Sequence, residues 1–341
     1  MNAPKATFDR EQIIIDDALA ARGPALLVAD VMEGLRQTPK RISSMFLYDD
    51  RGSQLFEQIT ALPEYYPTRT EKSLLRTFSR TVAPQLSDVD IVELGSGDCS
   101  KISLILDGID PANLPSVRYV PVDVSAFAIR QSAGQLTRRF PSLAVHGLVA
   151  DFLTQLDRVP CRRRRLFCLL GSTIGNLSGS QRDTFLQQLG EEMEPGDEFL
   201  LGLDLVKPVD VLEKAYNDGR GVTAEFNRNI LRSINALAKT NFRPELFEHL
   251  AFYNSAESRI EMHLRAAEDM EVRTPLGEDD MLGIAAGETI NTEDSHKFTV
   301  PRAKDFLQSA GLRVTDCLQD PKRWFGLLRA CPSPRGRYVE C

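Results

Sequence analysis

The 341-residue chain has no Cys-x-x-Cys pair, no run of 18 apolar residues, no internal repeat and no low-complexity tract, and only four histidines and one tryptophan. Its six cysteines, Cys99, Cys161, Cys168, Cys317, Cys331 and Cys341, keep no fixed spacing from the histidines. That excludes a zinc site and a disulfide framework from the reading and points to reduced thiols; no metal is expected. The missing apolar runs remove a membrane span and a secretory leader, so a cytoplasmic chain with no membrane partner is expected. Positive charge is short as well: 41 Lys and Arg against 48 Asp and Glu give a net charge of −7. Nucleic acid, which wants a basic face, is therefore not the expected partner. What remains is an ordinary globular composition, 42% hydrophobic and 26% charged, long enough for one large domain or two. A monomer acting on a small polar molecule is the expectation.

One further absence falls in the stretch at 89–101, Val-Asp-Ile-Val-Glu-Leu-Gly-Ser-Gly-Asp-Cys-Ser-Lys. A strand pattern runs into a Gly-Ser-Gly turn and then a helical pattern, but a dinucleotide-binding turn asks for a third glycine where Ser100 stands. Gly95 and Gly97 allow positive φ and leave bare backbone for a ligand to lie against, beside the free N–H groups of a helix start. Without the third glycine a diphosphate is disfavoured. The turn suits S-adenosylmethionine, whose only anion is a carboxylate.

In chain order, residues 1–10 are polar and expected to be loose. Between 9 and 37, apolar residues at helical spacing (Ile13, Ile14, Ala18, Leu19, then Leu26, Val28, Val31, Met32, Leu35) predict two short helices broken at Gly23-Pro24. The segment at 46–70 predicts a turn at 49–52, a helix over 53–61 capped by Ser53, and an extended loop flanked by prolines. After a helix over 71–82, strand patterns at 89–94, 117–124, 143–149, 166–170 and 198–203 alternate with helical patterns at 102–106, 126–140 and 181–193. This rhythm predicts an α/β fold with a doubly wound parallel sheet. From 205 to about 288 it stops, and helices over 211–215 and 222–238 precede strands at 250–253, 259–266 and 270–273. The expected division is an N-terminal helical segment at 1–66 contributing to a substrate domain, a cofactor domain at 67–204, an inserted α+β substrate domain at 205–288, and a return to the first sheet at 289–341. The arginine run at 161–165 reads as a solvated loop.

Ligands of such a sheet lie beyond the carboxyl ends of its strands. Asp123 falls at the second strand's tip, where a carboxylate can accept both hydroxyls of a ribose. Asp151 and Phe152, at the third, suit the amine and face of an adenine, and Asn176 lies just beyond the fourth. A single strand-end Asp is commonly a helix cap; several polar tips at one sheet edge favour a ligand site.

The segments at 46–60, 62–69, 92–97, 119–125, 171–176, 221–227 and 292–298, including Leu-Pro-Glu-Tyr-Tyr-Pro-Thr-Arg, Gly-Ser-Thr-Ile-Gly-Asn and Thr-Glu-Asp-Ser-His-Lys-Phe, resemble the histidine Nα-methyltransferases of ergothioneine biosynthesis. The resemblance runs from about residue 35 onward and implies a Rossmann-like methyltransferase sheet. It implies that Gly95, Lys101, Asp123, Asp151 and Phe152 hold S-adenosylmethionine, adding Lys101, otherwise a solvated first-turn lysine. Tyr65, Asn176 and Tyr216 match groups that hold the amino acid, the latter two on its carboxylate. Glu293 and Ser295 match the pair that hydrogen-bonds the imidazole, Met262 lines the same pocket, and Tyr48 matches a tyrosine near the reacting amine. Up to three rounds of methyl transfer would give the trimethylated betaine, hercynine.

A carboxylate at one ring nitrogen and a hydroxyl at the other fix tautomer and orientation. Asn291 and Asp294 depart from relatives at this motif, and Asp294 is expected to add negative charge beside the pocket. The alternatives are N-methylation of another amino acid such as tryptophan, a nicotinamide-dependent oxidoreductase, and a non-catalytic nucleotide-binding module.

Overall fold

A computed structural model describes residues 12–19, 23–161, 163–275 and 280–334. The chain opens with strand β1 (Ile13–Asp17) and helix α1 (Gly23–Arg36), then β2 (Lys40–Arg41), α2 (Asp50–Thr60) and α3 (Tyr66–Thr81). Next come β3 (Val89–Leu94), α4 (Ile102–Leu106), β4 (Arg118–Asp123), α5 (Ala126–Arg139), β5 (Ala144–Val149), β6 (Arg164–Leu169), α6 (Gly179–Glu192) and β7 (Glu198–Asp204). Helices α7 (Val209–Tyr216) and α8 (Val222–Ala238) lead to β8 (Phe247–Asn254), β9 (Arg259–Ala266), β10 (Met270–Arg273), β11 (Met281–Ile284) and β12 (Thr289–His296). The chain closes with α9 (Val300–Ser309), β13 (Leu312–Gln319) and β14 (Phe325–Pro332).

Eight strands form one sheet in the order β1-β5-β4-β3-β6-β7-β14-β13. Every residue of β3 is buried, as a parallel strand covered on both faces must be. Alternation sorts its side chains: Val92 and Leu94 join one core with Phe167 and Phe199, while Val89 and Ile91 join the other with Leu166 and Leu200. Each fully buried side chain of this kind contributes roughly 1.5–3 kcal/mol. From β3 the chain winds out through β4 and β5, then returns to β6 on the opposite side, so the switch point lies between β3 and β6.

A second, four-stranded sheet runs β2-β12-β9-β8, with β10 and β11 as a separate antiparallel pair. Its core joins Leu264 and Ile290 to Phe226 and Ile230 of α8 and to Leu35, Leu47, Ile59 and Leu62 from the N-terminal segment. The turn into α2 is tight: a Cβ on Gly52 would lie 1.7 Å from the Leu47 carbonyl oxygen. Asp49, whose carboxylate accepts from the Gly52 N–H at 2.7 Å, caps this helix, so the cap lies four residues before Ser53, the one expected.

Several sequence expectations change. Ile13 to Asp17 pair in parallel with β5 at the sheet edge and are not a helix: three consecutive β-branched isoleucines favour an extended chain, and helical spacing is ambiguous over so short a run. The helix expected from residue 71 begins at Tyr66, with Pro67 in its first turn, where the missing N–H costs nothing. The arginine run is not a solvated loop, because Arg164 and Arg165 open β6. Arg165 is buried, paired with Asp197 at 2.7 Å and stacked over Phe167. Strand β12 pairs with β9 and β2, so residues 289–296 belong to the smaller sheet and the return to the larger one starts at α9. The loose segment expected at 1–10, Arg162 and Cys341 lie outside the described residues. Among the described residues no helix is long and apolar enough to cross a membrane.

Candidate active site

The turn after β3 carries Gly95 at φ +68 and Gly97 at φ +47, and a Cβ on Gly97 would meet no atom within 4 Å. Asp123, at the tip of β4, accepts from the Gly97 N–H and the Ser125 N–H, both at 2.9 Å, one on each carboxylate oxygen. Burial raises its pKa, and these amides oppose that rise. A ring edge of Phe152 lies 3.6 Å from where a Cβ on Gly95 would stand, and the ring packs edge-on against Phe185. Asp151 accepts from the Leu153 N–H at 3.0 Å and the Thr154 hydroxyl at 3.2 Å, so it braces its own turn as well as lining the edge. Lys101 is not a solvated lysine. Its ammonium pairs with the buried Glu71 at 2.9 Å; burial disfavours the charge, but Glu71, with Asp98 and Glu93, outweighs that and the pKa rises. Glu71 also accepts from the Gly171 N–H at 2.7 Å, tying the loops after β3 and β6 together.

These features fit S-adenosylmethionine. The space at Gly97 is open, both Asp123 oxygens keep lone pairs for hydroxyls, and the buried Ser96 hydroxyl has no hydrogen-bond partner among the described residues.

Facing this edge is β12. Its ladder with β9 slips between Asn291 and Glu293, leaving Thr292 as the extra residue. Thr292 donates to the buried Asn227 at 2.6 Å, which anchors the bulge on α8. Beyond the bulge, Glu293 and Ser295 share a face and Asp294 takes the other. Glu293, opposite Met262, accepts from Asn176 Nδ2 at 2.7 Å. Burial pushes its carboxyl up to about 7, against the lowering effects of the Asn176 hydrogen bond and Lys297. Ser295 Oγ accepts from the Tyr216 hydroxyl at 2.8 Å. Asp294 instead meets Asn291 at 3.0 Å, Arg259 at 3.4 Å and Arg41 at 3.5 Å. The Asp294 carboxylate is thus turned away and paired with two guanidiniums, yet its charge still reaches the site, where it raises the Glu293 carboxyl.

Tyr48 packs edge-on against Phe56 and Phe226, and Tyr65 packs against Phe56 and Tyr216. Burial raises the Tyr48 phenol well above its ordinary pKa, and Glu293, Tyr65, Tyr216 and Asp123 raise it further. Tyr48 thus stands within electrostatic reach of both Asp123 at the tip of β4 and Glu293 on β12. Asn176 and Tyr216, expected on a substrate carboxylate, here bond Glu293 and Ser295.

Sequence reasoning passed over a polar group behind this region. Asp204, at the tip of β7, accepts from the Tyr66 hydroxyl at 2.7 Å, pairs with Lys297 at 3.0 Å and also contacts Lys207. Burial opposes the Asp204 charge, yet Lys297 and Lys207 hold its pKa below the ordinary value; burial lowers Lys207 to about 8. Two signals pointed there: Asp204 is another strand-tip Asp, and Lys297 continues the period of two set by Glu293 and Ser295.

A glycine turn at the switch point, a strand-tip carboxylate bonded to it and a set of buried, hydrogen-bonded polar side chains opposite are the arrangement of a methyltransferase that uses S-adenosylmethionine. Residues 27–331 match a family described as "Histidine-specific methyltransferase, SAM-dependent", and the chain belongs to that family. It is 43% identical to a histidine N-alpha-methyltransferase of Mycolicibacterium smegmatis over 87% of this chain and 92% of that one. A histidine N-alpha-methyltransferase of Mycobacterium tuberculosis is 42% identical, over 89% of this chain and 94% of its own. Ergothioneine biosynthesis protein 1 of Neurospora crassa is 33% identical over 58% of this chain and 23% of that larger protein.

Proposed function

We propose that the chain methylates the α-amino group of L-histidine with S-adenosylmethionine, in up to three rounds, giving the trimethylated betaine that serves ergothioneine biosynthesis. The observation that carries this is the face of β12 beyond its bulge, where Glu293 and Ser295 stand with Met262 across the ladder and Asn176 and Tyr216 in contact. An imidazole offers one N–H and one lone pair, which match a carboxylate and a hydroxyl. An amino acid lacking them leaves buried polar groups unpaired, and that is where selectivity arises.

In this reading Gly95, Lys101, Asp123, Asp151 and Phe152 hold the methyl donor, with Asp123 on the ribose hydroxyls and Phe152 on the adenine face. When bound, the donor supplies a methyl group already activated on a sulfonium. Tyr65, Asn176 and Tyr216 hold the amino-acid backbone, and Met262 gives the pocket an apolar wall. The protein then contributes alignment, which is a large part of the rate in such transfers. Tyr48 keeps its proton, since burial has raised its pKa, so its oxygen accepts from the amine N–H in the first two rounds and orients it without serving as base; the dimethylated amine of the third round has no N–H and is held by its other contacts. The amine's proton leaves to water. The division of labour broadly follows the two sheets: the larger holds the donor, while the smaller sheet, α7, α8 and residues 40–66, joined by Asn176 from the loop after β6, hold the amino acid.

Incubation with S-adenosylmethionine and an equimolar mixture of the twenty amino acids, read by mass spectrometry, tests this. Histidine alone should gain one, two and three methyl groups. Methylation of a different amino acid would overturn the roles of Glu293 and Ser295.

A further inference from the structure

Lys297 is 2% exposed and lies two residues beyond Ser295. An ammonium has three N–H donors and no acceptor. All three are engaged: Asp204 Oδ2 at 3.0 Å, Ser295 Oγ at 2.7 Å and Tyr216 Oη at 3.1 Å. Tyr216 in turn donates to Ser295, so Ser295 Oγ accepts twice and its own proton is left for a third partner. Two hydroxyls with no cation behind them would bond each other in either direction and leave one O–H for a ligand. With the ammonium holding both oxygens, the Tyr216–Ser295 bond becomes dispensable, and both protons can face a ligand together.

We propose that Lys297 is a positioning residue that sets the donor polarity of the substrate pocket: anchored on Asp204, it makes Ser295 and Tyr216 accept from the inside, so that their O–H groups point at the bound amino acid, opposite the accepting Glu293. The inference rests on the histidine reading above. Its chemical consequence is a pocket with a donor and an acceptor held apart. Neutral imidazole satisfies both. Indole, which has an N–H and no ring lone pair in its plane, leaves the Ser295 donor unpaired. Removing Lys297 would not orphan Asp204, which keeps Lys207 and Tyr66.

The test is a mutant cycle. Lys297→Met keeps the length of the side chain and removes its donors. The KM for histidine should rise roughly ten- to hundredfold, the loss expected for charge-assisted hydrogen bonds, while S-adenosylhomocysteine affinity by calorimetry stays within about twofold. In a Tyr216→Phe/Ser295→Ala background the same change should cost less than about twofold, because its two targets are gone. An unchanged KM in the single variant, or an equal cost in both backgrounds, overturns the inference. Should thermal melting show Lys297→Met unfolded, Lys297→Gln keeps two N–H donors on a shorter arm. Its smaller rise in KM must likewise vanish in the double-variant background, and a cost that persists there overturns the inference. The identity of the wild-type product separates the two failures. Methylation of an amino acid without a ring acceptor sinks the histidine reading and the ring match together, whereas histidine methylation with additive mutant costs sinks the role of Lys297 alone.

Discussion

The two sides of the site are built from different materials. The donor side rests mainly on short local segments: two positive-φ glycines, the amides that hold Asp123 and the turn after β5, with the Lys101–Glu71 pair reaching in from α3. The amino-acid side is a lattice of side chains, Asn176 on Glu293, Tyr216 and Lys297 on Ser295, and Asp204 on Lys297, gathered from the loop after β6, the end of β7, α7 and β12. A backbone cradle needs little support beyond its own turn, whereas a buried polar lattice holds only if every member is satisfied. The first side should therefore be locally robust, and the second globally demanding.

The largest effect should come from Asp204→Ala, which leaves two buried ammonium groups facing each other; unfolding free energy by chemical denaturation should fall by about 3–5 kcal/mol. A loss below about 1 kcal/mol would erase the contrast, since the lattice would then be no more demanding than a surface ion pair. Asp123→Ala should weaken S-adenosylhomocysteine binding by about 1–3 kcal/mol in calorimetry while leaving the fold intact. If it unfolds the protein instead, the donor side is not locally built. With its carboxyl raised to about 7, Glu293 loses its charge as pH falls from about 8 to about 6, and the KM for histidine should climb over that interval. Glu293→Gln should abolish that part of the profile, leaving only the titration of the substrate's own ring; an unaltered profile would remove Glu293 from the pocket. The smallest effect belongs to Asp294→Asn, where KM should move by less than about twofold, because its carboxylate faces Arg41 and Arg259. A tenfold change there would mean that β12 presents the opposite face.

The same contrast explains what the sequence disclosed. The turn at 92–97, the tips at Asp123 and Asp151 and the five central strands are legible because each is written in a short run of consecutive, mostly apolar residues that ends in a glycine or polar break. The isoleucines of β1 do not disclose their strand locally, because a parallel edge strand is defined by its partner, β5, more than a hundred residues away. A serine before a helical pattern points to Ser53 as the cap of α2, but Asp49 is as good a capping residue, and its carboxylate is the one that takes the Gly52 N–H. Lys297 goes unread for the opposite reason. It lies two residues past Ser295, whose motif role is recognisable, and its partner Asp204 comes from a strand whose tip carries no motif.

Strand β12 does not stop at the smaller sheet. Just past its end, the Phe298 N–H donates to the Asp204 carbonyl, and the Phe298 carbonyl accepts from the Val206 N–H, each at 2.9 Å, forming a bridge beside β7. The backbone is thus stitched to both sheets within a few residues of Ser295, with no slack between them. Such a seam couples the two lobes mechanically. Neither can open at this point without breaking the hydrogen bonds of the other, so amide exchange at Phe298 should be as slow as in β7, and the lobes should melt in one cooperative step.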